Sequence, residues 1–167
     1  VDADGKTGDG AGIHLEIPKD FFSEKIELTG HTYDDSEICI GMIFLPRNNY
    51  SAQENSRTLV EKELTKSNFS IYGWRQVPVN PKVLGEKAER TRPEITQVLF
   101  KHNDKKLSNK NLEVKLYESR RKIEKEASII NLNDFYICSF SSKSIIYKGM
   151  FLAESLSDFY TDLKDER

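Results

Sequence analysis

The chain has 167 residues, with 25 lysines and arginines against 27 aspartates and glutamates. This length suits a single domain that buries about two-thirds of the surface exposed by its unfolded chain. The near balance of charge excludes a standing attraction for nucleic acid or an anionic membrane, and no apolar run approaches the roughly 20 residues of a membrane-spanning helix. We therefore expect a cytoplasmic protein with no nucleic-acid or membrane partner.

Hydrophobic periodicity predicts that strands and helices alternate along the chain. In chain order we predict a strand at Ile13–Ile17, a helix at Phe21–Leu28, a strand at Ile38–Leu45, a helix at Ser51–Lys66, a strand at Phe69–Arg75, a helix at Asn80–Arg90, a strand at Ile95–Lys101, a loop at His102–Asn111, a helix at Leu112–Ala127, strands at Phe135–Phe140 and Ile145–Met150, and a helix at Leu156–Leu163.

Three local patterns sharpen this prediction. The strand Ile38–Leu45 is apolar on both faces, which is typical of a central strand covered on both sides. Ser51 and Glu54 have the spacing of a capping box at the start of a helix. The last two strands flank Ser141–Lys143, which indicates a hairpin. Hairpin joins and two-sided strands favour a layered α/β sandwich over a doubly wound sheet.

The stretch Asp2–Gly12, DADGKTGDGAG, carries four glycines and three aspartates. Glycine permits positive φ and aspartate bonds nearby backbone N–H groups, so the stretch predicts a tight turn. A P-loop would need a helix where these glycines stand, a dinucleotide fingerprint would need glycine in place of Ile13, and a calcium loop would need an acidic residue in place of Lys6. These spacings favour a structural turn before a strand, with a ligand site of another kind as the alternative.

The cysteines and histidines are single and scattered. Cys39 and Cys138 each lie in an apolar run, where a buried thiol packs as a small hydrophobe. Two lone cysteines make no disulfide framework, which favours a reducing compartment. His14, His31 and His102 form no group with metal-ligand spacing. We therefore predict no metal site and assign neither cysteine the role of a nucleophile.

Five motifs together carry a resemblance to one family. They are DGKTGDGAGI at Asp4–Ile13, IPKDFF at Ile17–Phe22, GWRQVPVNPKVLGEKA at Gly73–Ala88, RRKIEKE at Arg120–Glu126 and FYICSFSSKSIIYKGM at Phe135–Met150. In this order they resemble the large subunit of bacterial and plastid glutamate synthase. The shorter DGAGI is also similar to the signature of class II glutamine amidotransferases, an aspartate followed by two small residues, a glycine and an apolar residue.

The resemblance implies a fold and a chemistry. The fold is the αββα sandwich of the N-terminal-nucleophile hydrolases, present here incompletely. In the parent enzyme a terminal cysteine attacks glutamine, and glutamate and ammonia are released. The ammonia is passed to 2-oxoglutarate at a distant FMN site, with an iron–sulfur cluster also bound and electrons from ferredoxin or a pyridine nucleotide. The resemblance also implies a cytoplasmic or plastid-stroma location.

The same resemblance limits what this chain can supply. Neither Cys39 nor Cys138 matches the place of the nucleophile, and we expect the catalytic and glutamine-binding residues outside positions 1–167. Residues 1–167 would form part of one amidotransferase domain, inactive alone and free of cofactors. Asp9, Gly10 and Gly12 would shape a turn that supports the site, and no catalytic, substrate-binding or metal residue is assigned.

The expected partners follow from this interpretation. The chain would pack against the remainder of the glutamate synthase polypeptide, with glutamine as the parent's substrate. Exposed sheet edges invite pairing between chains, so we also predict a homodimer. The alternative is a non-catalytic binding or assembly module that retains the amidotransferase scaffold.

Overall fold

The computed structural model describes residues 3–164, which fold into a mixed α/β domain with antiparallel sheets. The elements are β1 Ala11–Glu16, α1 Lys19–Leu28, β2 Cys39–Leu45, α2 Tyr50–Lys66, β3 Phe69–Gln76, α3 Glu86–Thr91, β4 Glu94–His102, α4 Asn109–Ile129, β5 Tyr136–Ser141, β6 Ser144–Gly149 and α5 Leu156–Phe159. No helix within these residues has the length and apolar character needed to cross a bilayer.

The larger sheet has four strands in the order β3-β4-β2-β5. Side chains alternate between its two faces, so Ile40 and Met42 of β2 enter one apolar cluster, whereas Cys39 and Ile43 enter the other. All four are fully buried. The prediction of a central strand covered on both sides is therefore confirmed.

Helices α2 and α4 cover one face of this sheet. Val60 and Leu64 of α2 pack with Leu116 and Ile123 of α4 against the buried Phe100 of β4. Their spacing of four residues in α2 and of seven residues in α4 places them on one side of each helix. Periodicity in the sequence was therefore sufficient to predict both helices.

The other face packs against a layer that contains the second sheet. This sheet has two strands, β1 and β6, paired antiparallel with Gly12 opposite Lys148. Tyr147 of β6, Phe22 of α1 and Phe159 of α5 join the same apolar cluster as the facing side chains of the larger sheet. The fold is thus layered, with two helices, a four-stranded sheet and a mixed layer of strands and helix.

The predicted hairpin between the last two strands is wrong. β5 pairs with β2 in the larger sheet, whereas β6 pairs with β1 in the smaller one. The turn between them is held by Glu113 of α4, whose carboxylate accepts hydrogen bonds from the Ser142 backbone N–H at 2.8 Å and hydroxyl at 2.7 Å. The chain therefore uses this turn to pass from one sheet to the other.

The predicted capping box is also wrong. Helix α2 begins at Tyr50, one residue before Ser51, and its N-cap is Asn49, whose side chain accepts a hydrogen bond from the Ala52 backbone N–H at 3.0 Å. Asparagine is as good an N-cap as serine. Glu54 is thereby free to pair with Arg57 at 2.7 Å.

Two predicted helices are interrupted. Asn80 does cap a helical turn, but this is a 3₁₀ turn at Pro81–Val83, and α3 begins separately after Gly85. Near the end of the described chain, α5 has only four residues. Tyr160 leaves the helix because its backbone bridges to that of Val79.

Candidate functional site

The glycine-rich turn begins with a loop closed by Asp4. Its carboxylate accepts hydrogen bonds from the backbone N–H groups of Lys6 at 2.9 Å and Thr7 at 2.7 Å, and from the Thr7 hydroxyl at 2.6 Å. Hydrogen bonds from Thr7 and Lys6 hold the pKa of the Asp4 carboxyl well below its usual range. This aspartate turn was predicted from composition; Val1 and Asp2 lie outside the described residues.

The loop packs against the start of α3. A Cβ at Gly85 would lie 2.0 Å from Oδ2 of Asp4 and 2.4 Å from Oγ1 of Thr7. A Cβ at Gly8 would lie 2.7 Å from the backbone oxygen of Phe151. Both glycines therefore permit a close approach that a side chain would block.

The turn then leads into β1 through the predicted residues Asp9, Gly10 and Gly12. Gly10 has a φ of +140°, a conformation that side chains rarely adopt. A Cβ at Gly12 would lie 2.9 Å from Cβ of Lys148 and 3.1 Å from the Tyr147 backbone oxygen. Glycine is therefore required at position 10 for the turn and at position 12 for the close pairing of β1 with β6.

A groove of about 430 Å³ adjoins this turn and is called the turn groove below. It is lined by Asp9, Gly10, Ala11, Gly12, Phe44, Ile146, Lys148, Gly149 and Met150. The structure thus brings the three predicted residues together at one cavity. Two further cavities, of about 180 and 650 Å³, also reach Phe44.

Neither cysteine is among the residues that line this groove, although the Cys138 thiol donates to the Ile146 backbone oxygen at 3.5 Å. Cys39 and Cys138 are buried on opposite faces of the larger sheet. Burial raises the pKa of the Cys138 thiol to about 11, and burial raises that of Cys39 as well. Because the thiolate is the reactive form, neither residue is suited to act as a nucleophile near neutral pH. Their predicted role in core packing is confirmed.

Replacing Gly12 by alanine tests the close pairing of β1 with β6. The new Cβ would press on the Tyr147 backbone as well as on Lys148, so we expect a loss of about 1–2 kcal/mol in the free energy of unfolding. Chemical denaturation measures this loss. His14→Ala, an exposed change on the same strand, is the control and should cost less than about 0.5 kcal/mol.

Comparison with known proteins gives this turn a family context. The profile of glutamine amidotransferases class-II matches residues 1–167. The chain belongs to the class II glutamine amidotransferase family. Among amidotransferase relatives, it is 53% identical over 167 residues to the glutamate synthase [NADPH] large chain of Azospirillum brasilense and covers 11% of that protein. It is 37% identical over 167 residues to the chloroplastic ferredoxin-dependent glutamate synthase of Spinacia oleracea, of which it covers 10%.

This amidotransferase chain therefore spans about a tenth of the length of these relatives. The resemblance implies FMN and an iron–sulfur cluster in the parent enzyme. Within residues 3–164, no three His, Cys, Asp or Glu side chains are grouped to hold a metal ion. The two cysteines face opposite sides of a sheet, so the described residues do not fit an iron–sulfur cluster.

Sequence reasoning missed the residues that complete the turn groove. Phe44 was assigned only to a predicted core strand, and Lys148 and Met150 only to a predicted strand and a family motif. Lys148 and Met150 meet the turn because β6 pairs with β1 across about 130 positions of sequence. No local pattern could indicate this pairing. The available signal was that DGAGI and YKGM both occur in the motifs that carry the family resemblance.

Proposed function

We propose that this chain is a scaffold part of the glutaminase domain of a glutamate synthase. The observation that carries the proposal is the 53% identity over all 167 residues to a glutamate synthase large chain. The parent would hydrolyse glutamine and pass the ammonia to 2-oxoglutarate. The names of the relatives include both NADPH and ferredoxin as electron donors, and the proposal leaves the donor open.

In this proposal the described residues support the site and do not perform the chemistry. Gly10 and Gly12 place the backbone of the turn close to β6, and the turn groove provides an open cavity beside it. A nucleophilic cysteine would be supplied by another segment of the parent polypeptide. The turn is held because Gly8 and Gly12 pack against backbone oxygens of Phe151 and Tyr147, and Gly85 packs against the Asp4 and Thr7 side chains.

We expect the purified 167-residue chain to release no ammonia from glutamine. Both of its cysteines are buried within strands and their pKa values are raised, so neither can provide a thiolate at the groove. A coupled assay for ammonia measures the turnover. The same assay on a polypeptide extended to the full domain of the relatives should show hydrolysis.

Two results would contradict this proposal. Turnover by the 167-residue chain that disappears in Cys39→Ala or Cys138→Ala would show that the chain carries its own nucleophile. Absence of hydrolysis in the extended polypeptide, with its fold intact, would instead favour a non-catalytic module built on the amidotransferase scaffold.

We also propose that the chain is part of an αββα sandwich and that it forms a homodimer. Within residues 3–164 the smaller sheet has two strands, so β1 and β6 each have an edge that no described strand pairs with. Ile13 of β1 pairs with the buried Tyr147 of β6 yet is 37% exposed. By contrast, Arg120 covers part of the β5 edge through its hydrogen bond to the Ile137 carbonyl at 2.8 Å. A further strand at β1 would bury Ile13 and extend the sheet.

In the isolated chain we expect a second copy to supply this strand, in antiparallel β1–β1 pairing. Light scattering should then report a dimer, and Ile13→Lys should shift it to monomer because a charged residue at the edge blocks pairing. Ile129→Lys, at an exposed position in α4, is the control. A monomeric unchanged chain at high concentration would exclude the dimer.

A further inference from the structure

A groove of about 650 Å³ lies where β2 ends and β5 begins, and is called the arginine groove below. Its volume lies within the range of small-molecule sites, which is roughly 300–1,000 Å³. The residues that line it include Phe44, Arg47, Arg90, Arg92, Asp134 and Tyr136. Arginines therefore outnumber carboxylates on its wall.

Two of these arginines are mostly buried and share one carboxylate. Arg47 donates to Oε1 of Glu89 at 2.8 Å, and Arg92 donates to Oε2 at 3.0 Å and to Oε1 at 3.3 Å. The Arg47 and Arg92 side chains are only 23% and 16% exposed. A mostly buried charge is costly without a counter-ion. Two guanidinium groups on one carboxylate leave one positive charge in excess.

The electrostatics of Glu89 agree with this count. Hydrogen bonds and charge from Arg92, with a smaller contribution from Arg47, hold the pKa of the Glu89 carboxyl below its usual value. Glu89 does not itself line the groove. Arg90, by contrast, pairs with Glu86, and both side chains are about three-quarters exposed. The excess charge at the groove is therefore that of Arg47 and Arg92.

Both guanidinium groups keep donors for a ligand. Arg47 uses Nη1 and Nη2, on the carboxylate and the backbone oxygen of Glu89, and Arg92 uses Nε and Nη2. Arg47 Nε and Arg92 Nη1 have no acceptor within residues 3–164, and neither atom is closed off from solvent. Guanidinium N–H groups that converge on one cavity suit an oxyanion, which accepts several of them at once.

The position of Arg47 is fixed at both ends of the residue. The buried side-chain amide of Gln53 donates to the backbone oxygens of Pro46 at 2.8 Å and Arg47 at 3.0 Å. Glu89 holds the guanidinium group at the other end. A site that is ordered before binding loses less conformational entropy when the ligand arrives.

Aromatic rings form another part of the wall. The rings of Phe44 and Tyr136 lie 5.8 Å apart with a tilt of 48°. Phe44 is half-buried, and Tyr136 is 45% exposed. Exposed aromatic faces bind flat ring systems by stacking. The groove is therefore complementary to a molecule that carries an oxyanion and a flat ring.

We propose that the arginine groove binds a small phosphate ester with a flat ring, such as a nucleoside monophosphate, through Arg47 and Arg92 on the phosphate and Phe44 and Tyr136 on the ring. A phosphate monoester carries roughly 1.5 to 2 negative charges near neutral pH and offers three acceptor oxygens. It therefore offsets the excess charge and accepts from both guanidinium groups. This site is separate from glutamine hydrolysis, and its test does not depend on that activity.

Titration of the ¹⁵N-labelled 167-residue chain with adenosine monophosphate (AMP) tests the site. We expect saturable shifts at the backbone amides of Asn48 and Asn133, which line the groove. Arg92→Met should raise Kd roughly tenfold or more. Arg92→Lys should restore only part of the affinity, because lysine lacks the planar fork. Arg57→Met is the matched control: Arg57 is 26% exposed and paired with Glu54, outside the groove, so Kd should not change.

Ligand analogues separate recognition of the phosphate from recognition of the ring. Adenosine, which lacks the phosphate, should bind weakly, and equally to the unchanged chain and to Arg92→Met, because that contact is already absent. Inorganic phosphate and ribose 5-phosphate lack the flat ring and should bind more weakly than AMP. Tyr136→Leu should weaken AMP binding and leave the binding of inorganic phosphate unchanged.

Four results would overturn the proposal: no saturable shift with AMP, equal affinity of the unchanged chain for AMP and adenosine, equal affinity for AMP and succinate, or an equal loss in Arg57→Met. Inorganic phosphate that bound as tightly as AMP would overturn the assignment of the two aromatic rings. The comparisons of ligands on the unchanged chain need no variant, so they decide the matter even if Arg92→Met fails to fold.

Discussion

Replacing Asp162 by alanine should lower the free energy of unfolding by about 3–5 kcal/mol, because it leaves a buried guanidinium without its counter-ion. Asp162 accepts two hydrogen bonds from Arg75, at 2.6 and 2.7 Å. The two side chains are only 6% and 13% exposed. Urea denaturation at neutral pH measures the loss.

A polar network around this pair adds to the expected effect. The Tyr147 hydroxyl donates to Asp162 at 2.9 Å and accepts a hydrogen bond from the Gln97 side chain at 3.1 Å. Burial raises the pKa of Tyr147, so its hydroxyl stays protonated and keeps this donor role. Loss of the carboxylate therefore removes the acceptor of three hydrogen bonds, two from Arg75 and one from Tyr147.

Asp158→Ala is the matched control for this prediction. Asp158 also forms an ion pair, with Lys164 at 2.9 Å, but both side chains are more than half exposed. Its loss should cost less than about 1 kcal/mol. The combined change Arg75→Met and Asp162→Leu should recover most of the lost stability, since neither charge remains buried. Equal losses for Asp162→Ala and Asp158→Ala would contradict the assignment of a buried, paired charge.

Replacing Gly41 by valine should destabilise the protein by about 3 kcal/mol through overpacking. Gly41 lies in the central strand β2, between Val98 and Phe140 on the neighbouring strands. A Cβ there would lie 2.8 Å from a Phe140 ring carbon and 2.8 Å from Cγ1 of Val98. These neighbours are buried under α2 and α4, so the sheet has little freedom to relax.

A second substitution tests whether the cause is lack of space. Gly41→Ala should cost about 1–3 kcal/mol, and combining it with Phe140→Leu should cost less than the sum of the two single changes. The smaller leucine would make room for the new methyl group. The packing explanation would be contradicted if the losses of stability from Gly41→Ala and Phe140→Leu simply added in the double variant. It would also be contradicted if the Gly41→Val protein unfolded at the same denaturant concentration as the unchanged chain.

Long periodic elements could be predicted from the sequence, whereas pairings between distant segments could not. Helix α4 and strand β2 keep one pattern over many residues, so their burial follows from local spacing. The switch of β6 to the smaller sheet depends on β1, about 130 positions away. A turn such as Ser141–Lys143 serves either a hairpin or a crossing between sheets, and only the distant partner decides between them.

The same distinction applies to element ends and to the candidate site. Asn49 and Ser51 are both good N-caps, and the structure selects the earlier one. The stripe of Leu156 and its neighbours has helical spacing, but the bridge from Tyr160 to Val79 competes with the helix. The turn at Asp9, Gly10 and Gly12 could be predicted because it is local, and its support of a site stays a prediction. Lys148 required the fold.

The crossing from β5 to β6 has a consequence for how the chain can vary in length. Only Ser142 and Lys143 separate the two strands, and Glu113 fixes this connection to α4. One added residue that moved β6 by a single position would turn Ile145 and Tyr147 from the interior to solvent. The length of this connection thus sets the register of β6 on β1. Insertions here should be far less tolerated than insertions in the exposed loop that precedes α4.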